Sequence, residues 1–164
     1  MIKKTMKNGI EYTIEPCGKD RWDEACELAF RVFMKFEAKE YGQKGIDSFA
    51  EFLTSPGLEK LFKADRYIVY VAMLDGKIIG IVSLRSGNFL SLLFVDDRYH
   101  RQGIGSELLN TVRGYLLNET DQTTLTVNAS TYAIPFYSKH GFVATADKIY
   151  AQDGIIYTPM QMII

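Results

Sequence analysis

Along this chain the spacing of apolar residues changes several times, and each change marks a candidate element. Residues 9–15 alternate apolar and polar, the two-residue period of a strand with one buried face. From Trp22 the apolar positions recur at three- and four-residue steps through Ala25, Cys26, Ala29, Val32, Phe33 and Phe36. That period predicts an amphipathic helix, with Asp20 as its N-cap. The stretch Lys39–Gly45 is mostly polar, holds two glycines and reads as a loop. Ile46–Leu53 reads as a second short helix, ended near Pro56-Gly57.

Arg66–Leu74 is rich in Val, Ile and Tyr and predicts a strand, as does Lys77–Leu84. Asp75-Gly76 between them is a hairpin signal, because a type I′ turn needs positive φ. Phe89–Val95 is apolar almost throughout and reads as a central strand covered on both faces. Ile104, Leu108, Leu109, Val112 and Leu116 mark the next helix. Thr123–Asn128 follows as a strand and Tyr132–Lys139 as a short helix, with Phe142–Thr145 and Ile155–Met162 as closing strands. The predicted order is β-α-α-β-β-β-α-β-α-β-β, an α/β chain of the α+β kind: a mixed sheet with helices packed on it.

Composition narrows the field without choosing a function. The chain has 164 residues, and residues 1–164 suit a single domain. An apolar fraction of 47% allows a full core, and a net charge of -1 gives no reason to expect nucleic acid or a membrane surface as partner. Lys3, Lys4 and Lys7 read as a solvated N-terminus, and no apolar stretch follows them as in a signal peptide. No run of about 20 apolar residues is present to span a bilayer. Cys17 and Cys26 fit no metal-ligand or redox spacing, which suits a reducing, cytoplasmic setting; Cys26 reads as a small core residue. No metal site is expected.

The most informative segment runs from Leu93 to Ser106, where a buried strand leads through a polar turn and two glycines into a helix. A helix N-terminus has unpaired N–H groups and partial positive charge, and glycines let backbone close around an oxygen-rich group. The combination suits a phosphate or diphosphate. A P-loop would need Gly-Lys-Ser/Thr at the helix start, where Gly103-Ile104-Gly105-Ser106 stands. A dinucleotide fingerprint would need a third glycine, which is absent. The glycines alone favour a plain strand-to-helix turn with no ligand.

With its flanks, the segment resembles the acyl-CoA motif of the GNAT superfamily of N-acetyltransferases. There an apolar-aromatic-Val strand end is followed by a polar turn and a Gln/Arg-x-x-Gly-x-Gly/Ala loop that opens a helix. Leu93-Phe94-Val95 fills the strand end, Gly103 and Gly105 take the glycine places, and the family's Gln or Arg falls on His100, with Arg101 and Gln102 after it. Further on, Asn128 to Phe142 is similar to the superfamily's second motif, a strand ending in Asn and a short helix carrying aromatic-Tyr-x-Lys-x-Gly-Phe. The resemblance covers Lys77–Phe142. Earlier residues match in element order only.

The resemblance implies a GNAT-like acyl-CoA N-acyltransferase fold and acetyl-CoA as co-substrate. It implies diphosphate binding by the loop Arg101, Gln102, Gly103, Ile104, Gly105 and Ser106, mainly through backbone N–H groups. It further implies strands that splay to admit the pantetheine arm, which would pair with the backbone at Phe94 and Val95. Asn128 would reach the pantetheine or keep the strands apart. Lys139 would approach the adenosine phosphates, unless it is a plain solvent-facing lysine. Tyr137 falls on the general-acid position, with a structural tyrosine as the other reading.

An attacking alkylammonium must also lose a proton, and Asn88–Leu93 carries no carboxylate to take it. Glu37 and Glu40, in the region where the family builds its acceptor site, are the candidate base, or else a solvated helix end. Tyr41, Phe36 and Phe52 are candidates for the acceptor wall, and core packing explains the two phenylalanines at least as well. The implied acceptor is a small amine, amino acid or peptide, and the superfamily's habit admits a homodimer. The rival reading is a catalytically weak acyl-CoA sensor.

Overall fold

The computed structural model describes all residues, 1–164. Two N-terminal strands, β1 (Ile2–Thr5) and β2 (Glu11–Pro16), precede three helices, α1 (Trp22–Phe36), α2 (Ala38–Leu53) and α3 (Pro56–Lys63). Strands β3 (Ile68–Leu74), β4 (Lys77–Arg85) and β5 (Phe89–Val95) lead into α4 (Ile104–Glu119). The chain closes with β6 (Thr124–Ala129), α5 (Ile134–Lys139), β7 (Val143–Ala144), β8 (Ile149–Tyr150) and β9 (Ile156–Ile163). The sheet order is β1-β2-β3-β4-β5-β6-β9-β7, with β8 pairing to β9. Only β5 and β6 run parallel.

Both faces of the sheet are covered, so β4 is buried from Ile78 to Leu84 without alternation. On one face α4 lays Ile104, Leu108, Leu109, Val112 and Leu116 against Ile79, Val82, Leu84, Leu90 and Leu125. On the other, Trp22, Ala25, Leu28, Ala29 and Val32 of α1 join Leu53, Leu58 and Phe62 against Val69, Val71, Ile81 and Leu92. Ring stacking of Trp22 on Phe62 at 4.8 Å fixes α3 against the start of α1.

The mixed sheet and its central apolar strand follow the expectation. Asp75 and Gly76 both take positive φ, 50° and 76°, as a type I′ turn requires. Four local readings are corrected. Lys39–Gly45 is helix rather than loop, with the break confined to Gly42 at φ 67°, ψ -177°. Pro56-Gly57 begins α3 rather than ending a helix, because Ser55 caps it by accepting from Leu58 N–H at 3.4 Å. Asp20 lies in a 3₁₀ turn and makes no cap to α1. Of the N-terminal lysines, Lys3 and Lys7 are exposed as expected, but Lys3 and Lys4 lie in an edge strand, where Lys4 pairs with Glu107 at 2.8 Å. No helix is long and apolar enough to cross a membrane.

Candidate active site

Strands β5 and β6 pair only at Phe89↔Thr126 and Leu90↔Val127, and then part. A bulge in β5 causes the parting. Leu90 faces Leu84 while Leu92 faces Ser83, so Ser91 is an extra residue that bends the strand. Beyond it β5 stays with β4, and a gap opens toward Asn128 and Ala129 of β6.

The β4–β5 ladder decides which backbone groups face that gap. Asp96 N–H donates to Ile79 C=O at 2.8 Å, which makes Ile79 and Asp96 a hydrogen-bonded pair. By antiparallel alternation, Phe94 pairs with Ile81 in the same way, and the N–H and C=O of Leu93 and Val95 point away from β4. Of the two residues expected to line the gap by backbone, Val95 does so and Phe94 does not. Leu93 takes its place. The Val95 carbonyl is already engaged, accepting from His100 Nε2 at 2.6 Å. The Val95 N–H and both Leu93 groups remain for a ligand.

That bond also redefines His100. Its ring lies 5.1 Å from Phe36, which in turn stacks 5.1 Å from Tyr132. The three rings tie the end of α1 to the loops on either side of the gap. Phe36 is therefore a strap and does not line the acceptor cleft. Gln102 is also occupied as a side chain. Its Oε1 accepts from Asn8 N–H at 3.0 Å and its carbonyl from Lys7 N–H at 3.2 Å, so the β1–β2 hairpin braces the loop.

The loop itself presents unused donors. The N–H groups of Arg101, Gln102, Gly103, Ile104, Gly105 and Ser106 donate to no carbonyl or side chain of the chain. Gly103 caps α4 at φ 90°, and Arg101 also takes positive φ, 63°. A Cβ on Gly105 would stand 3.3 Å from the Phe136 ring, so helix and α5 approach here as glycine allows. This row of donors at a helix start fits a diphosphate. The Ser106 hydroxyl is spent elsewhere: His140 Nδ1 lies 2.8 Å from the Phe136 carbonyl and must donate to it. In the neutral ring Nε2 then accepts from Ser106 Oγ at 2.7 Å. Arg98 is held on Asp96 at 2.9 Å, which Arg31 also reaches at 3.0 Å.

Beside the gap lies a cleft of about 410 Å³, walled by α1–α2, β5, β6 and the β8–β9 hairpin. Glu37, Tyr41, Phe52, Asn128 and Tyr137 all face it. Glu37 joins α1 to α2 in non-helical geometry, φ -121°. Burial pushes its carboxyl up to about 7, against a hydrogen bond from Ser130 and with help from the charge of Glu40. Burial also raises the Tyr137 phenol far above its usual value, and Glu37 adds to this. Tyr137 is almost wholly enclosed by the core, yet its hydroxyl makes no bond within the protein. Tyr41 is raised by burial and then by Glu37 and Glu40.

Glu37 and Glu40 are thus separated in role. Glu40 lies outside the cleft, accepting from Thr131 N–H at 3.4 Å and pairing with Lys148 at 3.3 Å. Those contacts more than offset its partial burial and lower its carboxyl, which leaves a poor base. Lys139 is exposed at the end of α5 and has no carboxylate partner. Cys17 and Cys26 are away from the cleft, their thiols raised by burial to about 11 and about 12. Two features escaped the sequence: the hairpin wall around Ala151, Asp153, Ile155 and Tyr157, and Arg85 at the cleft's far end. Neither sits in a motif.

Residues 37–164 match the family description "Acetyltransferase (GNAT) domain". An uncharacterised N-acetyltransferase of Escherichia coli (strain K12), YafP, is 31% identical over 121 residues, 74% of each chain. The crystal structure of a GCN5-related N-acetyltransferase from Rhodopseudomonas palustris superposes with a TM-score of 0.79 at 20% identity, over 100% of this chain and 99% of that one. A PaiA N-acetyltransferase from Thermoplasma acidophilum, in complex with coenzyme A, gives 0.77 at 16% identity, over 94% and 100%. At these identities the structural likeness is one of fold.

Proposed function

The chain belongs to the GNAT acetyltransferase family, and from that premise we propose that it acetylates a primary amine by direct attack on acetyl-CoA in a ternary complex. The amine belongs to a small molecule, amino acid or peptide. One observation carries the reading: Glu37, raised to about 7, and the unpaired Tyr137 hydroxyl face one cleft that runs into the strand gap.

The diphosphate takes the N–H groups of Arg101–Ser106, and the pantetheine arm adds to β5 through Leu93 and Val95. Asn128, exposed on β6, meets the arm from the other side. Lys139 contributes charge near the adenosine phosphates. His100 and Gln102 act by holding the loop.

Glu37 takes the proton of the incoming ammonium, directly or through water. A carboxyl near 7 is half ionised at neutral pH and matched to that task. The freed nitrogen attacks the thioester carbonyl, and the Val95 N–H donates to the oxygen as negative charge develops. When the intermediate collapses, the C–S bond breaks with its electron pair on sulfur, and the nitrogen's second proton passes to water, while Glu37 returns the first to water before the next turnover. Tyr137 donates to the departing sulfur. Because the phenol lies far above a thiol's value of about 8.5, complete transfer runs uphill, and a hydrogen bond to the thiolate is the favourable part. Neither cysteine lines the cleft as an acyl carrier, in keeping with direct attack.

The test is a free-thiol release assay with acetyl-CoA against a panel of amines, amino acids and peptides. Acceptor-dependent release is expected. A uniform slow background with every acceptor, together with tight CoA binding, would replace this reading with an acyl-CoA sensor.

A further inference from the structure

Besides its tyrosines, the cleft's lining holds three acidic or basic side chains, two carboxyls and one guanidinium, in very different states. Glu37 is the proton acceptor of the proposed reaction. Asp153 is turned into its own hairpin, where Oδ1 accepts from Ile155 N–H at 3.0 Å. Arg85, the last residue of β4, is the lining's one cation and makes neither an ion pair nor a side-chain hydrogen bond. Arg21, Arg31 and Arg98 each have a carboxylate partner. Arg85 instead has rings: its guanidinium lies 5.3 Å from the centre of Phe52 and 5.2 Å from that of Phe89. The residue is exposed; the two rings flank the guanidinium and leave its N–H fork unspent.

The sheet register sets its distance from Glu37. Arg85 faces Phe89, and Phe89 faces Thr126. Ser130, which bonds Glu37, lies four positions further along the chain from Thr126. At about 3.3 Å per residue the two levels lie roughly 13 Å apart along the strands. Phe49, Leu90, Phe94, Val127 and Tyr157 lie in the same lining and offer it little hydrogen bonding.

We infer that Arg85 is a specificity residue that binds an oxyanion, carboxylate or phosphate, at the end of the acceptor remote from its amine. The acceptor is then an elongated amino acid derivative: an amine at Glu37, an apolar or aromatic body along the phenylalanines, and an acid group at Arg85. An α-amino acid is too short to reach both ends, whereas a short peptide with a free C-terminus is long enough. This inference rests on the proposed acetyl transfer with Glu37 at the amine end.

The test uses matched acceptors in the thiol-release assay: a short aromatic peptide as its free acid and as its C-terminal amide, and an aromatic amine bearing a distant phosphate beside its alcohol. Wild-type protein is expected to prefer an acid over its neutral partner by about tenfold in kcat/KM, mostly through KM, as for a hydrogen bond to a charged group. The pair that shows the preference identifies the oxyanion. Arg85→Ala is expected to lower the acid to its neutral partner's level, and Arg85→Lys to restore part of the preference as a point charge without the fork. Equal rates for acid and neutral partner in wild type, or an acid preference that survives Arg85→Ala, overturns the inference while acetyl transfer stands. No turnover of any acceptor by protein that binds acetyl-CoA overturns both.

Discussion

The Glu37 carboxylate raises the Tyr137 phenol from across the cleft, adding to what burial of the phenol already does. One site therefore holds a carboxyl that changes state near neutrality and a phenol that stays protonated. In the proposed reaction the two proton tasks of amine acylation fall to these two groups by environment rather than by residue type.

The first consequence is a pH dependence carried by Glu37. Ionised Glu37 accepts the ammonium proton, so kcat/KM is expected to rise with pH through about 7 and then level. Glu37→Gln removes that limb and lowers the plateau on the order of a hundredfold. Stability moves the other way. The folded protein holds this proton more tightly than the unfolded chain, whose glutamate lies near 4.3. The contribution is fully present below about 4.3 and is lost as pH rises through about 7, by at most about 4 kcal/mol. Denaturation midpoints across that range, for wild type and Glu37→Gln, check the sign: the variant should show the flatter curve.

Tyr137→Phe separates chemistry from packing. The hydroxyl makes no bond inside the protein, so its loss strands no buried partner, while the ring keeps its contacts with Phe136 and Phe142. The expected variant melts within a degree or two of wild type, by roughly 0.5 kcal/mol at most, and binds acetyl-CoA normally. Its kcat falls by about a hundredfold. Unchanged turnover in a well-folded variant would remove Tyr137 from the reaction.

If backbone N–H groups carry diphosphate binding, bulk at the loop should matter more than the imidazole beside it. Gly105→Val drives a branched side chain into Phe136, already 3.3 Å from where a Cβ would stand, and shifts the first turn of α4. Its expected effect is a Kd for CoA raised at least about tenfold, or about 1.4 kcal/mol. His100→Ala frees the Val95 carbonyl and unpacks one face of Phe36, with an expected loss of a few-fold. Isothermal titration with CoA ranks them; the reverse order would place the anchor on the side chain.

The sequence made the strand-loop-helix unit legible because its signals are local: an apolar run, two glycines and a helical period lie within one stretch from Phe89 to Leu116. The Asp75-Gly76 hairpin is local in the same sense. What the sequence hid depends on distant partners. Gln102 looks like a phosphate-loop residue until the β1–β2 hairpin is placed against it. Glu37 and Glu40 are indistinguishable by spacing, and it is Thr131 and Lys148, both far along the chain, that mark Glu40 as structural. The choice between Phe94 and Val95 needed the register of β4. Lys39–Gly45 reads as a loop because it is polar and holds two glycines, yet only Gly42 breaks the helix, which continues on both sides.

The acceptor wall supplies a last test, at two glycines that no motif contains. Gly154, in the β8–β9 hairpin, takes φ 88°, and a Cβ there would stand 2.5 Å from the backbone nitrogen of Gly45 in α2. A Cβ on Gly45 would in turn stand 2.5 Å from the Gly154 carbonyl oxygen. These atoms are backbone on both sides and cannot rotate away, so hairpin and helix must separate. Ser48, which donates to the Asp153 carbonyl, would lose its register as well. Gly154→Ala combines a positive-φ penalty of about 1 kcal/mol with that clash, for a total of at least about 2 kcal/mol in a urea titration. Because no residue of the phosphate loop lines this cleft, the functional loss should fall on the acceptor's KM, with that for acetyl-CoA within about twofold of wild type. A larger effect on acetyl-CoA would mean that the hairpin supports the strand gap as well as the acceptor.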